Sequence, residues 1–316
     1  MKIPVIMMFN DNYTIPGGAA IYSMLTNTGG GNLFELYVLH TDITKEHQEA
    51  LQSVVRQFPN ATLEFMDLTY RAIPENAGIG YPKEIIYKLI LPSVFPQYDK
   101  VIVTDVDVLF LDDVAPEFIA FDSDDYFAGV KQTGHANHKP FSTDITDDNM
   151  HFMCGAGYMI YNLKKMREDD MERKYMDFLH ANREYLRLPD QEVLNIVSQP
   201  KIKMLHPRNM TLCAWYVPEN YVFKYDYNST KEEHEEAKRS PVQLHFVEHT
   251  WRKPWFDPNC PRAELWFEYL SKTPFLSEYF KTYWVLKSSL PIPAWRRLLA
   301  SVIPVKKWRR KIRRRK

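Results

Sequence analysis

Asp105 and Asp107 stand one residue apart where the run Val101-Ile102-Val103-Thr104 gives out and a second apolar run, Val108-Leu109-Phe110-Leu111, begins. In an extended segment residues i and i+2 point the same way, so both carboxylates can reach one ion. Hard cations such as Mg2+ and Mn2+ favour such oxygen ligands and commonly bridge a protein carboxylate to substrate phosphates. The chemistry this offers is neutralisation of a diphosphate leaving group. Read without context, the same pair is two exposed acids at the end of a strand.

The elements that would position the pair follow from the hydrophobic pattern. Short β-branched or aromatic runs alternate with amphipathic stretches over the first hundred residues, the pattern of βα units and a mainly parallel sheet. Strands are predicted at 3–9, 33–39, 62–66 and 101–104. Helices are predicted at 16–27, opening on Pro16, and at 44–58, where Thr44 is a candidate N-cap. Parallel strands open their ligand crevice at their carboxyl ends, which singles out Asn10 to Tyr13, Thr41 with Asp42, and Asp105 to Asp107. Further on, 132–149 is a polar stretch long enough to be a functional loop. A buried strand then leads into a surface helix over 163–182, and Pro189 opens a short helix with an acidic first turn.

A hydrophobic fraction of 45% with 14% aromatics excludes a disordered or disulfide-dense chain. Cys154, Cys213 and Cys260 include no CxxC pair and read as buried thiols of a reducing compartment. No apolar run reaches the roughly 18–20 residues needed to span a bilayer. The start of the chain turns polar too early for a signal peptide, so a cytoplasmic location is expected. The net charge of zero hides an asymmetry: 281–316 holds thirteen Lys and Arg and no acid, leaving 27 bases against 40 acids in residues 1–280. An acidic body fused to a basic tail points to a charged surface as partner.

Four segments, in order along the chain, resemble those of glycosyltransferase family 8, the retaining GT-A enzymes that include bacterial lipooligosaccharide galactosyl- and glucosyltransferases. They are FNDNYT at 9–14, VIVTDVDVLFLDD at 101–113, CGAGYMIYNLKKM with LPDQEVLN at 154–166 and 188–195, and LHFVEHTWRKPW at 244–255. The resemblance implies a GT-A fold, a Rossmann-like and mainly parallel α/β sheet with flanking helices. It implies a catalytic domain over 1–260, followed by a helical, basic extension over 261–316.

It also implies roles. Asp105, Asp107 and His245 correspond to the metal ligands, a mixed oxygen and imidazole set that suits Mn2+, with Mg2+ as the other choice. The family usually has a shorter, glycine-containing link between its histidine and KPW, so His249 is a second candidate ligand. Lys253 corresponds to the lysine on the donor diphosphate. Asn10, Asn12 and Tyr13 correspond to positions that hold uridine, although many members carry an acid where Asn10 stands, and Val106 lies against the nucleotide. Lys88 corresponds to a base that reaches the donor sugar or phosphate; by pattern alone it is equally a surface lysine. Asp190 and Gln191 correspond to the pair facing the transferred hexose, Gln191 near the anomeric carbon.

The expected activity is therefore metal-dependent, retaining transfer of glucose or galactose from a UDP-sugar to a glycan or glycolipid acceptor. Gln191 is a poor nucleophile, which favours same-face attack over double displacement. Acceptor contacts are expected on 132–149 and 207–228. The competing class is a non-catalytic nucleotide-sugar or membrane-binding protein of the same fold; a nucleic-acid partner is disfavoured because the acidic body repels a polyanion. In the tail, Trp295, Leu298, Leu299 and Val302 form a helical stripe, and eleven bases follow from Arg296 onward. That is the pattern of an in-plane amphipathic segment, predicting peripheral attachment to the inner face of an anionic plasma membrane.

Overall fold

The computed structural model describes residues 1–71, 82–132, 153–186, 188–217, 230–247 and 252–285. Ten strands are found among them: β1 Lys2–Met8, β2 Leu33–His40, β3 Ala61–Asp67, β4 Lys100–Thr104, β5 Val108–Phe110, β6 Phe127–Gln132, β7 Met153–Asn162, β8 Ile202–Leu205, β9 Thr211–Leu212 and β10 Gln243–His245. Seven form one sheet in the order β3-β2-β1-β4-β7-β6-β8, and β5-β10-β9 form a second, small sheet. Strands β3, β2, β1 and β4 run parallel, whereas β7 is antiparallel to both β4 and β6. The fold is the expected α/β sheet with flanking helices.

The four strands expected in the first hundred residues lie where the hydrophobic runs place them, within a residue at each end. The centres of β1 and β4 are buried on both faces, as at Val5, Ile6 and Met7, whereas β3 at the sheet edge buries Leu63 and leaves Glu64 exposed. Helix Lys45–Val55 starts at the expected cap, Thr44, whose side chain accepts from the His47 backbone N–H. The predicted helix over 163–182 is instead two, Leu163–Glu168 and Met171–Asn182. Asp170 breaks it by taking a left-handed conformation (φ 52°), which Asp tolerates better than most residues. Its carboxylate accepts from Arg173 one turn on. Among the described residues no helix is long and apolar enough to cross a membrane.

Winding reverses between β1 and β4, which are neighbours in the sheet although β2 and β3 intervene in sequence. Such a switch point opens a crevice at the carboxyl ends of the strands. The chain leaves β4 at Thr104 and enters the small sheet at Val108, so Asp105–Asp107 span the step between two sheets. Antiparallel pairing of β10 with β5 sets His245 opposite Val108, next to Asp107.

Two compact units divide the chain, Met1–Phe275 and Leu276–Lys316. The first includes helix Ala263–Leu270 beyond the strands. Of the second, 276–285 are described; they complete helix Phe275–Tyr279 and form the π-helical stretch Phe280–Val285. The predicted amphipathic segment and basic cluster lie outside the described residues.

Candidate active site

A cavity of about 640 Å3 lies over the carboxyl ends of β1 and β4. Asn10, Tyr13, Lys88, Asp105, Val106, Asp107, Asp190, Gln191, His245 and Lys253 all line it. Residues distant in sequence thus meet at one place.

Asp105, Asp107 and His245 each offer a ligand atom, and these atoms lie within 4.8 Å of one another. His245 Nε2 is 3.2 Å from Asp107 Oδ1, and the Lys253 ammonium donates to Asp107 Oδ2. Burial alone would push the Asp107 carboxyl up, but the Lys253 and His245 charges outweigh it and hold the group well below the usual carboxylate range. Two carboxylates and an imidazole converging in this way fit a divalent cation of the Mn2+ or Mg2+ kind. The other expected candidate, His249, lies outside the described residues.

Gly157 on β7 fixes this cluster. Its carbonyl accepts from the Asp105 N–H, the Thr104 hydroxyl and the Gln243 amide, tying β4 and β10 to one point. A Cβ at Gly157 would come within 2.6 Å of the His245 ring, so only glycine leaves the imidazole its place. Gly157→Ala is expected to displace the ring and lower metal-dependent turnover by about 100-fold, the scale of a misplacement near 1 Å. Manganese titration of turnover checks this, and an unchanged titration curve would refute it.

Lys88 is not the surface lysine its pattern also allowed. It is 1% exposed on the 3-10 helix Lys83–Leu89, donating to Asp105 Oδ1 and Asp190 Oδ2 at 2.8 Å each. Burial would lower its pKa, but the two carboxylates outweigh that and raise it. Lys88 thereby joins Asp105, after β4, to Asp190 at the start of the helix beyond Leu188. Asp190 and Gln191 occupy the first turn of helix Pro189–Ser198. That helix is clamped to β7 by Asn195, which accepts from the Cys154 N–H at 2.6 Å and donates to the Cys154 and Gln191 carbonyls. Gln191 Oε1 accepts from the Ala156 N–H at 3.3 Å, and its Nε2 is buried with no partner among the described residues.

At the other end, the turn Asp11–Tyr13 follows β1. Asp11 holds it against the start of helix Lys45–Val55, accepting from the Thr44 N–H and meeting His47 Nδ1 at 2.7 Å. Tyr13 packs edge-on to Trp255, their centroids 5.9 Å apart. Asn12 is exposed and does not line the cavity. In a 3-10 turn side chains three apart share a face, so Asn10 and Tyr13 look one way and Asn12 another.

Gly157, at the cavity wall, and Asn195 and Gln243, behind it, support the site and were not singled out from the sequence. The small-residue run Gly155-Ala156-Gly157 was the one available signal. All three cysteines are free and buried. Within the expected acceptor loops, 133–149 and 218–228 lie outside the described residues, while Met210 reaches the cavity.

A switch-point crevice in a mainly parallel α/β sheet, with an Asp-Asp-His cluster at the step out of its central strand, is the arrangement of a GT-A glycosyltransferase. The Glycosyl transferase family 8 model matches residues 4–258, and the chain belongs to that family. General stress protein A of Bacillus subtilis (strain 168) is 24% identical over 280 residues, covering 85% of this chain and 93% of that protein. A putative glycosyltransferase of Haemophilus influenzae is 21% identical over 212 residues, covering 64% of this chain and 62% of that protein. Among solved structures, apo WbbM, a bifunctional glycosyltransferase, superimposes with a TM-score of 0.76 at 21% identity over 89% of this chain. The chain spans 51% of WbbM. The galactosyltransferase LgtC, solved with donor and acceptor sugar analogues, superimposes with a TM-score of 0.70 at 18% identity, covering 88% of this chain and 99% of LgtC.

Proposed function

We propose that the protein transfers a hexose, glucose or galactose, from a UDP-sugar to a glycan or glycolipid acceptor of the cell surface, with retention of configuration. The observation that carries this reading is the convergence of Asp105, Asp107 and His245 in the same cavity as Lys88, Asp190 and Gln191. Asp105, Asp107 and His245 would hold Mn2+ or Mg2+. When bound, that cation supplies electrostatic stabilisation of the leaving diphosphate.

Lys253 adds a second positive charge on the same side, and its hydrogen bond to the Phe246 carbonyl keeps the ammonium in place. Asp190, oriented by Lys88, accepts from the sugar hydroxyls. The buried Gln191 amide lies against the reacting face, where it excludes water and offers no anion for a covalent intermediate. Tyr13 and Asn10 hold the nucleoside.

The test is UDP release from a panel of UDP-hexoses with Mn2+ and candidate glycolipid acceptors, with a chelator control. Metal-dependent release from UDP-glucose or UDP-galactose is expected. Binding of the UDP-sugar without release or transfer on any acceptor would favour the non-catalytic alternative.

The tail belongs to the same proposal. Each Lys or Arg near anionic lipid contributes at most about 1 kcal/mol, so eleven from Arg296 onward are ample for peripheral binding on an inner membrane face. Removing residues 305–316 is expected to shift the protein from membrane to soluble fractions without altering turnover on a soluble acceptor. Unchanged partitioning would refute that role.

A further inference from the structure

The nucleoside end of the cavity carries an acid to which nothing above gives a role. Glu84 is 3% exposed, lines the cavity, and accepts from the Thr41 hydroxyl. Its place follows from strand register. Met8 pairs with Leu39 in parallel β1 and β2, so two residues further on Asn10 and Thr41 emerge side by side at the rim. Thr41 holds Glu84 there, while Lys88, on the same 3-10 helix, reaches Asp105 at the end of β4. With strands ordered β2-β1-β4, the helix crosses the crevice with its acid over the β2 and β1 end and its cation over the β4 end.

That polarity assigns the two ends. A diphosphate belongs with Lys88, Lys253 and the metal-type acids. The nucleoside is left at the end with Asn10, Tyr13 and Glu84. A buried carboxylate is costly unless donors meet it, and among the described residues Thr41 is the one donor that Glu84 meets. Asn10 Oδ1, also buried at this end, has no partner among the described residues.

We propose that Glu84 reads the donor's base, accepting a hydrogen bond from the ring N3–H of uracil and excluding cytosine, whose N3 is an acceptor. The inference rests on the nucleotide-sugar reading above. The discrimination falls on Glu84 rather than Asn10 because an amide presents either a donor or an acceptor by turning over. A carboxylate has no such freedom, and against cytosine N3 it would set lone pair against lone pair. Rejection of an analogue that leaves a buried polar group unpaired is the stronger form of specificity.

The test is calorimetric titration of the full-length protein, in Mn2+, with UDP, CDP and N3-methyl-UDP. Wild type is expected to bind UDP at least about tenfold more tightly than either of the others. Glu84→Gln, whose amide can turn over, is expected to melt close to wild type and to bring the UDP to CDP ratio within about threefold. The ratio is insensitive to a general loss of active protein. Wild type that holds N3-methyl-UDP as tightly as UDP overturns the proposal whatever the variant does, as does a variant that keeps the wild-type ratio. A loss in the variant that tracks the ribose, seen as equal affinity for UDP and 2′-deoxy-UDP there but not in wild type, also overturns it. Wild type that binds neither UDP nor CDP rejects the nucleotide-sugar reading itself.

Discussion

Asp107→Asn is expected to lower metal-dependent sugar transfer by about 1,000-fold or more, the scale of losing a principal electrostatic contact to the leaving group. The side chain keeps its volume, so the cavity keeps its shape. What is lost is the charge that faces Lys253 and the His245 ring and that would meet the proposed divalent cation. Loss of activity alone would not separate a missing metal ligand from a disturbed site, because Lys253 is left buried without its counter-charge. Breaking such a pair on one side costs on the order of 3 kcal/mol. The double variant Asp107→Asn with Lys253→Met removes both charges and is expected to recover most of that stability while remaining inactive. Thermal melts and UDP-release assays on the three proteins distinguish the cases. Full turnover in Asp107→Asn would refute the metal assignment, and activity regained in the double variant would show that unpaired charge, not metal, was the cause.

Much of this site was legible because its parts are local in sequence. Asp105 and Asp107 close a buried strand, and buried parallel strands announce themselves as continuous apolar runs. Asp190 and Gln191 follow a proline that starts a helix. The supporting contacts were not legible, since each joins residues far apart. In EIIYKLILP nearly every position is apolar, so no helical period says which way Lys88 points, and one of its partners lies 102 residues away. Glu84 reads as an ordinary acid in a helix's first turn until the register of β1 and β2 brings Thr41 beside it. Gly157 reads as one small residue among three; its requirement is steric and belongs to a histidine on another sheet. The helix predicted over 163–182 divides because of the conformation of a single residue, Asp170, which the local run of charged residues does not announce. The sequence places the turn after β1 at the crevice without saying which of its residues line the cavity, and Asn12 is exposed outside that lining.

Lys88→Met is expected to cost about 3–5 kcal/mol of stability and most of the activity, because it leaves two carboxylates facing each other without the ammonium between them. Asp190 is 9% exposed at its side chain and Asp105 29%, so the penalty falls mainly on the buried Asp190. Loss of that magnitude lowers the melting temperature by roughly 10 °C in a unit of this size. The pH dependence gives a second signature. The Lys88 pKa is raised in the folded protein, so folding is favoured while the ammonium is kept and the contribution is fully present at neutral pH. It is lost only as pH climbs above the ordinary lysine value of 10.5 toward the folded one. Buried tyrosines and Lys253, whose pKa values are also raised, give both proteins an alkaline decline in stability, and wild type should show a steeper one than Lys88→Met. Lys88→Arg retains a charge whose planar fork can meet both carboxylates, and is expected to keep most of the stability. Activity in that variant reports on geometry instead: a bulkier cation displaces the Asp190 carboxylate, and with the proposed role of Asp190 kcat is expected to fall more than KM rises. A Lys88→Met protein as stable as wild type across the whole pH range would show that the bridge between the two acids contributes nothing to the fold.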